Sequence, residues 1–357
     1  MILLADQPSR LATARRTLRP RPPFDFARSL RFVGGFTPAG GEQRVEPATL
    51  TKAAAVGGRT VVFEVASTGT IEQARLACTL YSDRPIGDAL ADAAFDRVAY
   101  YLGCDDDLAP FYARASTDPP MRALADSAYG LHQVKFITPF ENACCAILGQ
   151  RTPMATMRRR KRALVESLGS LLAVDGSIYR AFPAAETLAG VGIARIYDTV
   201  RHERQALALA ACAQAFAQVD EGWLRSGPVA HVEAWLRSIP GIGTWSASFV
   251  LIRGLGRWEH IPHVERKLLA AAAAVYGLPR RRNTTSGRSW TATNRGAGSG
   301  RSTSAPCPWS RRRFARPLSP AEARKCEILR GFPLCAAIRL NHRTHRPIRI
   351  IEQDVRV

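Results

Sequence analysis

The sequence predicts a mainly α-helical fold, opened by a small α+β domain and closed by an irregular C-terminal tail. Three observations carry this. Strand-type patterning with β-branched residues is confined to the first hundred residues. From Asp105 onward strand signals nearly vanish and apolar residues recur at helical spacing. Beyond Leu278 the periodicity gives way to a segment rich in Arg, Ser, Gly, Thr and Pro. A chain of 357 residues is long enough for two or three domains.

Residues 1–20 read as a loose basic arm, and residues 21–103 as the α+β leader. In the leader, ThrValValPheGluVal (60–65) reads as a strand. A second strand falls within Ala74 to Ser82, and residues 89–102 have helical spacing. Residues 104–278 read as an all-α body. Its short first helices cover Leu108–Ala115 and Pro120–Ala128. Thr138-Pro139-Phe140-Glu141 has the form of a capping box with proline at the first helical position. It opens PheGluAsnAlaCysCysAlaIleLeuGlyGln (140–150), with Phe140, Ala143, Cys144, Ile147 and Leu148 turned inward. Thr152-Pro153 starts a helix that ends at Gly169. Further helices are expected over about 203–218, 229–238 and 267–276.

Composition excludes some classes of function. The longest apolar stretch, Leu268 to Leu278, is about half of what spans a bilayer, and no signal peptide is visible at the start. The eight cysteines form no CxxC pair, so the usual spacing of a zinc ribbon or an iron–sulfur cluster is missing. Cys144 and Cys145 sit in an apolar run and read as buried thiols. A reducing cytoplasm is the expected setting. The net charge is +20, but residues 280–357 hold 18 Lys+Arg against 4 Asp+Glu, a net +14. The preceding residues carry only +6. A basic balance points to a polyanionic partner.

HisValGluAlaTrpLeuArgSerIle (231–239), then Pro240-Gly241-Ile242-Gly243, then ThrTrpSerAlaSerPheValLeuIleArgGlyLeuGly reads as helix, glycine hairpin, helix. The glycines permit a tight turn. The outward amides at Gly241, Gly243 and Thr244 can hold a phosphate oxygen where the helix dipole is positive. Trp245 and Phe249 are four apart and share a face. They form either a core contact or an aromatic slot, and such a slot attracts a cation by about 0.5–2 kcal/mol.

The hairpin at 236–247, the IleLeuGlyGln helix at 140–150, ArgGlyLeuGly (253–256) and ProProPheAspPhe (22–26) together resemble the helix-hairpin-helix DNA glycosylase superfamily. Within it, the sequence resembles the bacterial 3-methyladenine DNA glycosylase II type. The resemblance covers roughly residues 20–278. It implies a leader similar to half of TATA-binding protein, and an active cleft between two helical subdomains. It implies hydrolysis of the N-glycosidic bond of alkylated purines, 3-methyladenine and 7-methylguanine, in double-stranded DNA after base flipping. Trp245 and Phe249 would line the base pocket. The Gln150–Arg151 corner would enter the duplex, although Arg151 can equally cap its helix. Strand-cutting members carry a Schiff-base lysine where Trp245 stands, so the resemblance implies a monofunctional enzyme without lyase activity.

The family's essential aspartate lies about twenty residues beyond that position, where this sequence has none. Glu265 stands in the expected register and is the candidate catalytic carboxylate. The alternative is a surface Glu paired with Arg266 or Lys267. Glu259 is a weaker substitute, and His260 and His263 read as structural. Arg158–Arg162 (ArgArgArgLysArg) is a basic run that wraps its helix, as phosphate contacts or as a solvated face. No cofactor or metal is implied beyond a monovalent cation at the hairpin carbonyls. A monomer is expected.

Family members continue past TyrGly (276–277) with aromatic-rich helices. This chain has TrpThrAlaThrAsnArgGlyAlaGlySerGlyArgSerThrSerAlaPro at 290–306 instead. Read in the frame beginning at the third base of each codon, Trp290 forces Asp. The codons after it can encode Arg, Tyr, Glu, Pro, Trp, Gly, Trp and later Tyr, Leu, Arg, Ala. Residues 279–357 therefore read as a disordered basic tail, a frameshift product or a flexible DNA-binding arm. The odd tail and the missing aspartate keep a second reading open, a non-catalytic damaged-DNA-binding module or a decayed enzyme.

Overall fold

The computed structural model describes residues 11–260, with Val275 and Tyr276 further on. Glu265, His263, most of the helix expected over 267–276 and the 279–357 tail lie outside the described residues.

Five antiparallel strands form the leader sheet, β1 (Ala12–Leu18), β2 (Gln43–Val45), β3 (Thr49–Val56), β4 (Arg59–Ser67) and β5 (Leu76–Ser82). Their order is β1-β5-β4-β3-β2. Helices α1 (Phe26–Gly35) and α2 (Asp88–Leu102) supply Leu30, Val33, Phe95, Val98 and Leu102 to one core with Leu50, Val61, Phe63, Val65, Leu76 and Leu80. Val62, between Val61 and Phe63, points the other way and is buried too. Both faces of β4 are covered, so its centre is continuously apolar.

The loose arm expected at 1–20 is corrected. Residues 12–18 are an edge strand in register with β5, Ala12 opposite Ser82 and Leu18 opposite Leu76. The basic residues that disguise it are useful at an edge: the Arg16 guanidinium lies 4.4 Å from the Phe95 ring centroid and pairs with Asp92 at 2.5 Å. β3, ThrLeuThrLysAlaAlaAlaVal, is another strand that propensity hides, because alanine is a poor strand former. Burial on both faces decides it, with Ala53 packed outward and Ala54 inward.

The helical body contains α3 (Ala109–Ala115), α4 (Pro119–Ser127), α5 (Pro139–Gly149), α6 (Met154–Leu168), β6 (Ser170–Val174), β7 (Ser177–Ala181), α7 (Ala185–Gly190), α8 (Gly192–Val200), α9 (Glu203–Gln218), α10 (Glu221–Ser226), α11 (Val229–Ser238) and α12 (Thr244–Phe249), followed by a π-turn over Val250–Gly254. The all-α expectation fails at β6 and β7. Asp175 and Gly176 both have positive φ, +47° and +74°. Two such residues are what a two-residue hairpin turn matching strand twist requires, and Asp-Gly is its strongest local signal. The hairpin lays Leu172, Val174, Tyr179 and Ala181 on Ala53 and Val62 of the leader sheet.

Helix α5 is buried all round from Pro139 to Leu148, as a central helix must be. It packs on α6, α9 and the π-turn in a core that includes Ile147, Leu148, Leu164, Leu209, Leu236 and Leu251. Thr138 caps it by accepting from the Glu141 N–H at 3.0 Å. The other half of the expected box is absent. The Glu141 carboxylate turns instead to Lys161 Nζ at 2.6 Å, and Glu42 of the leader meets the same ammonium at 2.6 Å. Lys52 is 3.4 Å from Glu42. Lys161, in the middle of the basic run, is therefore 1% exposed and faces neither DNA nor solvent. Burial pushes the Glu42 carboxyl up, but the ammonium groups of Lys161 and Lys52 outweigh it and hold the carboxyl below its ordinary range. Burial likewise works against charge on Lys161, yet its anionic neighbours keep its pKa well above the usual lysine value. The cysteines among the described residues are free and buried, and burial pushes the Cys78 and Cys145 thiols up to about 12.

Removing one member of a buried network strands the others, at about 3–5 kcal/mol. Lys161→Ala is expected to lower the free energy of unfolding by that amount, read as a lower urea midpoint at unchanged slope, and an unchanged midpoint would contradict the assignment. Because Glu42 is lowered, its contribution is complete above the unfolded carboxylate value near 4.5 and is lost as pH falls below it. Acid titration of wild type should show this loss, and the Lys161→Ala variant should show less of it.

Candidate functional site

The hairpin between α11 and α12 is held by three local features. Ile239 and Ile242 are buried beneath it, and the Ile242 N–H donates to the Ile239 carbonyl at 3.0 Å. Gly241 has φ +89° and lies against α9, where a Cβ would come within 2.6 Å of Ala208 Cβ. Gly243 is extended and caps α12, and Gly241, Gly243 and Thr244 are all exposed. The first amides of α12 have no acceptor earlier in the helix and face outward. The sequence placed these residues on one exposed turn, and the structure does the same.

Gln150 is drawn to this turn from α5, 91 residues earlier: its Nε2 donates to the Gly241 carbonyl at 2.5 Å and to Ser246 Oγ at 3.2 Å. Arg151 follows with φ +47° and an exposed side chain. A non-glycine residue there is held at a cost of about 1–3 kcal/mol. At this helix end the Gln150 N–H donates to the Ile147 carbonyl. The corner and the hairpin thus form one surface. Two hairpin carbonyls, of Ile239 and Gly241, already accept from Ile242 N–H and Gln150 Nε2. No group of three or more His, Cys, Asp or Glu able to hold a metal occurs among the described residues.

Trp245 is 53% exposed and stacks on Phe249, with ring centroids 5.1 Å apart and planes at 11°. Phe249 meets the edge of Phe136 at 5.9 Å, Phe136 meets Phe36 at 5.4 Å, and Phe36 stacks on Phe32 at 5.5 Å. This ladder runs from the open ring of Trp245 into the leader helix α1. The buried guanidinium of Arg253 lies 4.7 Å from Phe32 and 5.1 Å from Phe36. Its Nε and Nη2 have no hydrogen-bond partner among the described residues, and burial lowers its pKa to about 10. Phe32, Phe36 and Phe136 are members of the site that the sequence does not announce, and Arg253 is announced only as the first residue of ArgGlyLeuGly (253–256). The i, i+4 spacing of Phe32 and Phe36 is the one available signal. His260 is buried, 2.8 Å from Ser248 Oγ and 3.6 Å from Glu233. Glu259 is bound to Arg257 at 2.7 Å, which weakens it as a substitute for Glu265.

No family model matches the chain. A DNA-3-methyladenine glycosylase of Bacillus subtilis is 27% identical over 215 residues, 59% of this chain and 70% of that protein. A 3-methyladenine DNA glycosylase from Archaeoglobus fulgidus superposes with a TM-score of 0.61 at 19% identity, over 73% of this chain and 87% of the other. The chain has the fold of the helix-hairpin-helix DNA glycosylases. It resembles the 3-methyladenine glycosylases among them. An 8-oxoguanine glycosylase/lyase from Clostridium acetobutylicum shares the fold, with a TM-score of 0.55 at 16% identity over 76% of this chain and 89% of that one. No helix among the described residues is long and apolar enough to cross a membrane.

The two hairpin glycines should differ in tolerance. Gly241→Ala combines a left-handed φ with a clash against a helix and is expected to cost about 1–3 kcal/mol. Gly243→Ala meets open space at an ordinary φ and should cost less, about 0.5–1 kcal/mol, the penalty of alanine at an N-cap. Thermal melts of the two variants check this, and equal losses would refute the geometry.

Proposed function

We propose that the chain removes alkylated purines such as 3-methyladenine and 7-methylguanine from double-stranded DNA, by hydrolysis of the N-glycosidic bond after base flipping. The observation that carries this is the open Trp245 ring, stacked on Phe249 beside a glycine hairpin to which Gln150 is tied. The named relatives support it. The Gly241–Thr244 turn would take a backbone phosphate on its outward amides. Arg151, thrust out by its positive φ, would enter the gap left by the flipped nucleotide and stack on the neighbouring bases. A cationic base would slide against the face of Trp245, whose quadrupole favours positive charge.

An alkylated purine already weakens its own glycosidic bond by its charge. The protein then needs to stabilise the oxocarbenium ion and hold a water, and Glu265 is the residue proposed for both tasks. Glutamate is one methylene longer than the aspartate of the family, and the modest help such a substrate requires makes it workable. Trp245 offers no amine for a Schiff base, which supports a monofunctional enzyme that leaves the abasic strand intact.

Release of free methylated bases from methylated duplex DNA at enzyme excess tests the proposal. Wild type should exceed spontaneous release and leave intact abasic strands. Glu265→Gln should slow release by about 10²–10³-fold. Trp245→Ala should slow it by about 10–100-fold, the loss of one stacking partner, with little effect on the melting temperature because the ring is half in solvent. Release by Glu265→Gln at the wild-type rate would remove Glu265 from the mechanism. No release by folded wild type would remove the activity itself.

A further inference from the structure

A second concave site lies where the leader meets α6 and the β6–β7 hairpin. The groove has a volume of about 370 Å³. Four arginines from three elements line it: Arg44 of β2, Arg158 and Arg162 of α6, and Arg180 of β7. Nothing local brings them together, since Arg44 and Arg180 belong to different layers of the molecule.

The charge balance around them is uneven. Arg44 pairs with Glu46 at 2.6 Å. Arg158, Arg162 and Arg180 make no ion pair among the described residues. Arg158 Nη2 approaches the Gly40 carbonyl at 3.4 Å, and a Cβ on Gly40 would come within 2.9 Å of that nitrogen. Gly41, with φ +87°, completes the lip beside Arg162. Two carboxylates also line the groove. Glu42 is neutralised from beneath by Lys161 and Lys52, which leaves Glu166 as the opposing charge. The contrast along α6 is informative. Lys161 turns inward and meets two carboxylates, whereas Arg158 and Arg162 turn into the groove without such partners. Converging like charges work against the compact state unless an anion joins them.

We propose that this groove is a phosphate-binding site. The guanidinium fork matches paired phosphate oxygens, and several forks around one cavity match a diester or a diphosphate better than a carboxylate. The phosphate can come from the DNA backbone or from a free ligand. Arg158 and Arg162 are four and eight residues past the start of α6, about 6 and 12 Å along it at 1.5 Å per residue. That start adjoins the Gln150–Arg151 corner, so a duplex held at the corner has backbone close by. The DNA source rests on the glycosylase reading, while the phosphate site itself does not.

The test uses the full chain, an Arg162→Gln/Arg180→Gln double variant and Glu166→Gln. Pyrophosphate should raise the melting temperature of wild type, raise it further at equal concentration for Glu166→Gln, and do so weakly or not at all for the double variant. Duplex affinity is then measured against salt by fluorescence anisotropy. If DNA supplies the phosphates, the slope of log K against log salt becomes shallower by about 0.9 for each phosphate that the double variant no longer neutralises. An abolished pyrophosphate response with an unchanged slope assigns the groove to a free phosphate ligand. Equal pyrophosphate responses and equal slopes in all three proteins would overturn the proposal. Base release is read separately, so an inactive chain would count against the glycosylase reading and not against the groove.

Discussion

The ammonium of Lys161 is the point on which the two halves of the protein converge. It lies in α6, takes Glu141 from α5 and reaches Glu42 in the leader, 119 residues away in sequence. Three charged groups removed from water are costly unless each is matched, and here the matching crosses the boundary between sheet and helices. The leader therefore cannot shift against α5 and α6 without uncovering charge. Glu141 is also in the first turn of the central helix. The same residue that would have completed a local cap thus serves a long-range contact, and Thr138 alone secures the helix start.

That constraint sets the position of everything at the site. α5 ends at the corner that carries Gln150 and Arg151, and Gln150 bonds directly to the hairpin. The aromatic ladder makes a second link, from Trp245 and Phe249 through Phe136 to Phe36, just past α1, and Phe32 on it. The leader is accordingly part of the wall behind the aromatic slot. Arg253, buried at the inner end of that ladder with two nitrogens unpartnered among the described residues, lies in the π-turn that continues α12, a widening that often marks functional segments. Helical elements hold Phe32, Trp245, Phe249 and Arg253, whereas Gln150, Arg151, Phe36 and Phe136 stand on the turns and connections beside them.

Much of this is legible in the chain itself. α9 at 203–218 and α11 at 229–238 lie where periodicity puts them, α5 begins at its Thr-Pro signal, and Trp245 and Phe249 share a face because they are four apart. β1 and β3 are not legible as strands, since arginines and alanines carry no strand signature until an edge or a two-sided core gives them a role. The β6–β7 hairpin is within reach through Asp175-Gly176, a turn signal masked by surroundings that read as helical. The basic run at 158–162 misleads most, because five cations in sequence say nothing about which one will be buried.

The sequence by itself determined the local grammar: helix starts and stops, the glycine hairpin, the aromatic spacing, and with them the resemblance to a glycosylase. These depend on interactions within one or two turns of chain, where spacing dictates contact. The tertiary structure decided the partner of Lys161, the approach of Gln150 to the Gly241 carbonyl, the leader aromatics behind the slot and the arginine groove. Each of these joins residues tens to more than a hundred positions apart. Their energy comes from desolvation and charge pairing, which exist only once distant segments have closed around the same volume and excluded water from it.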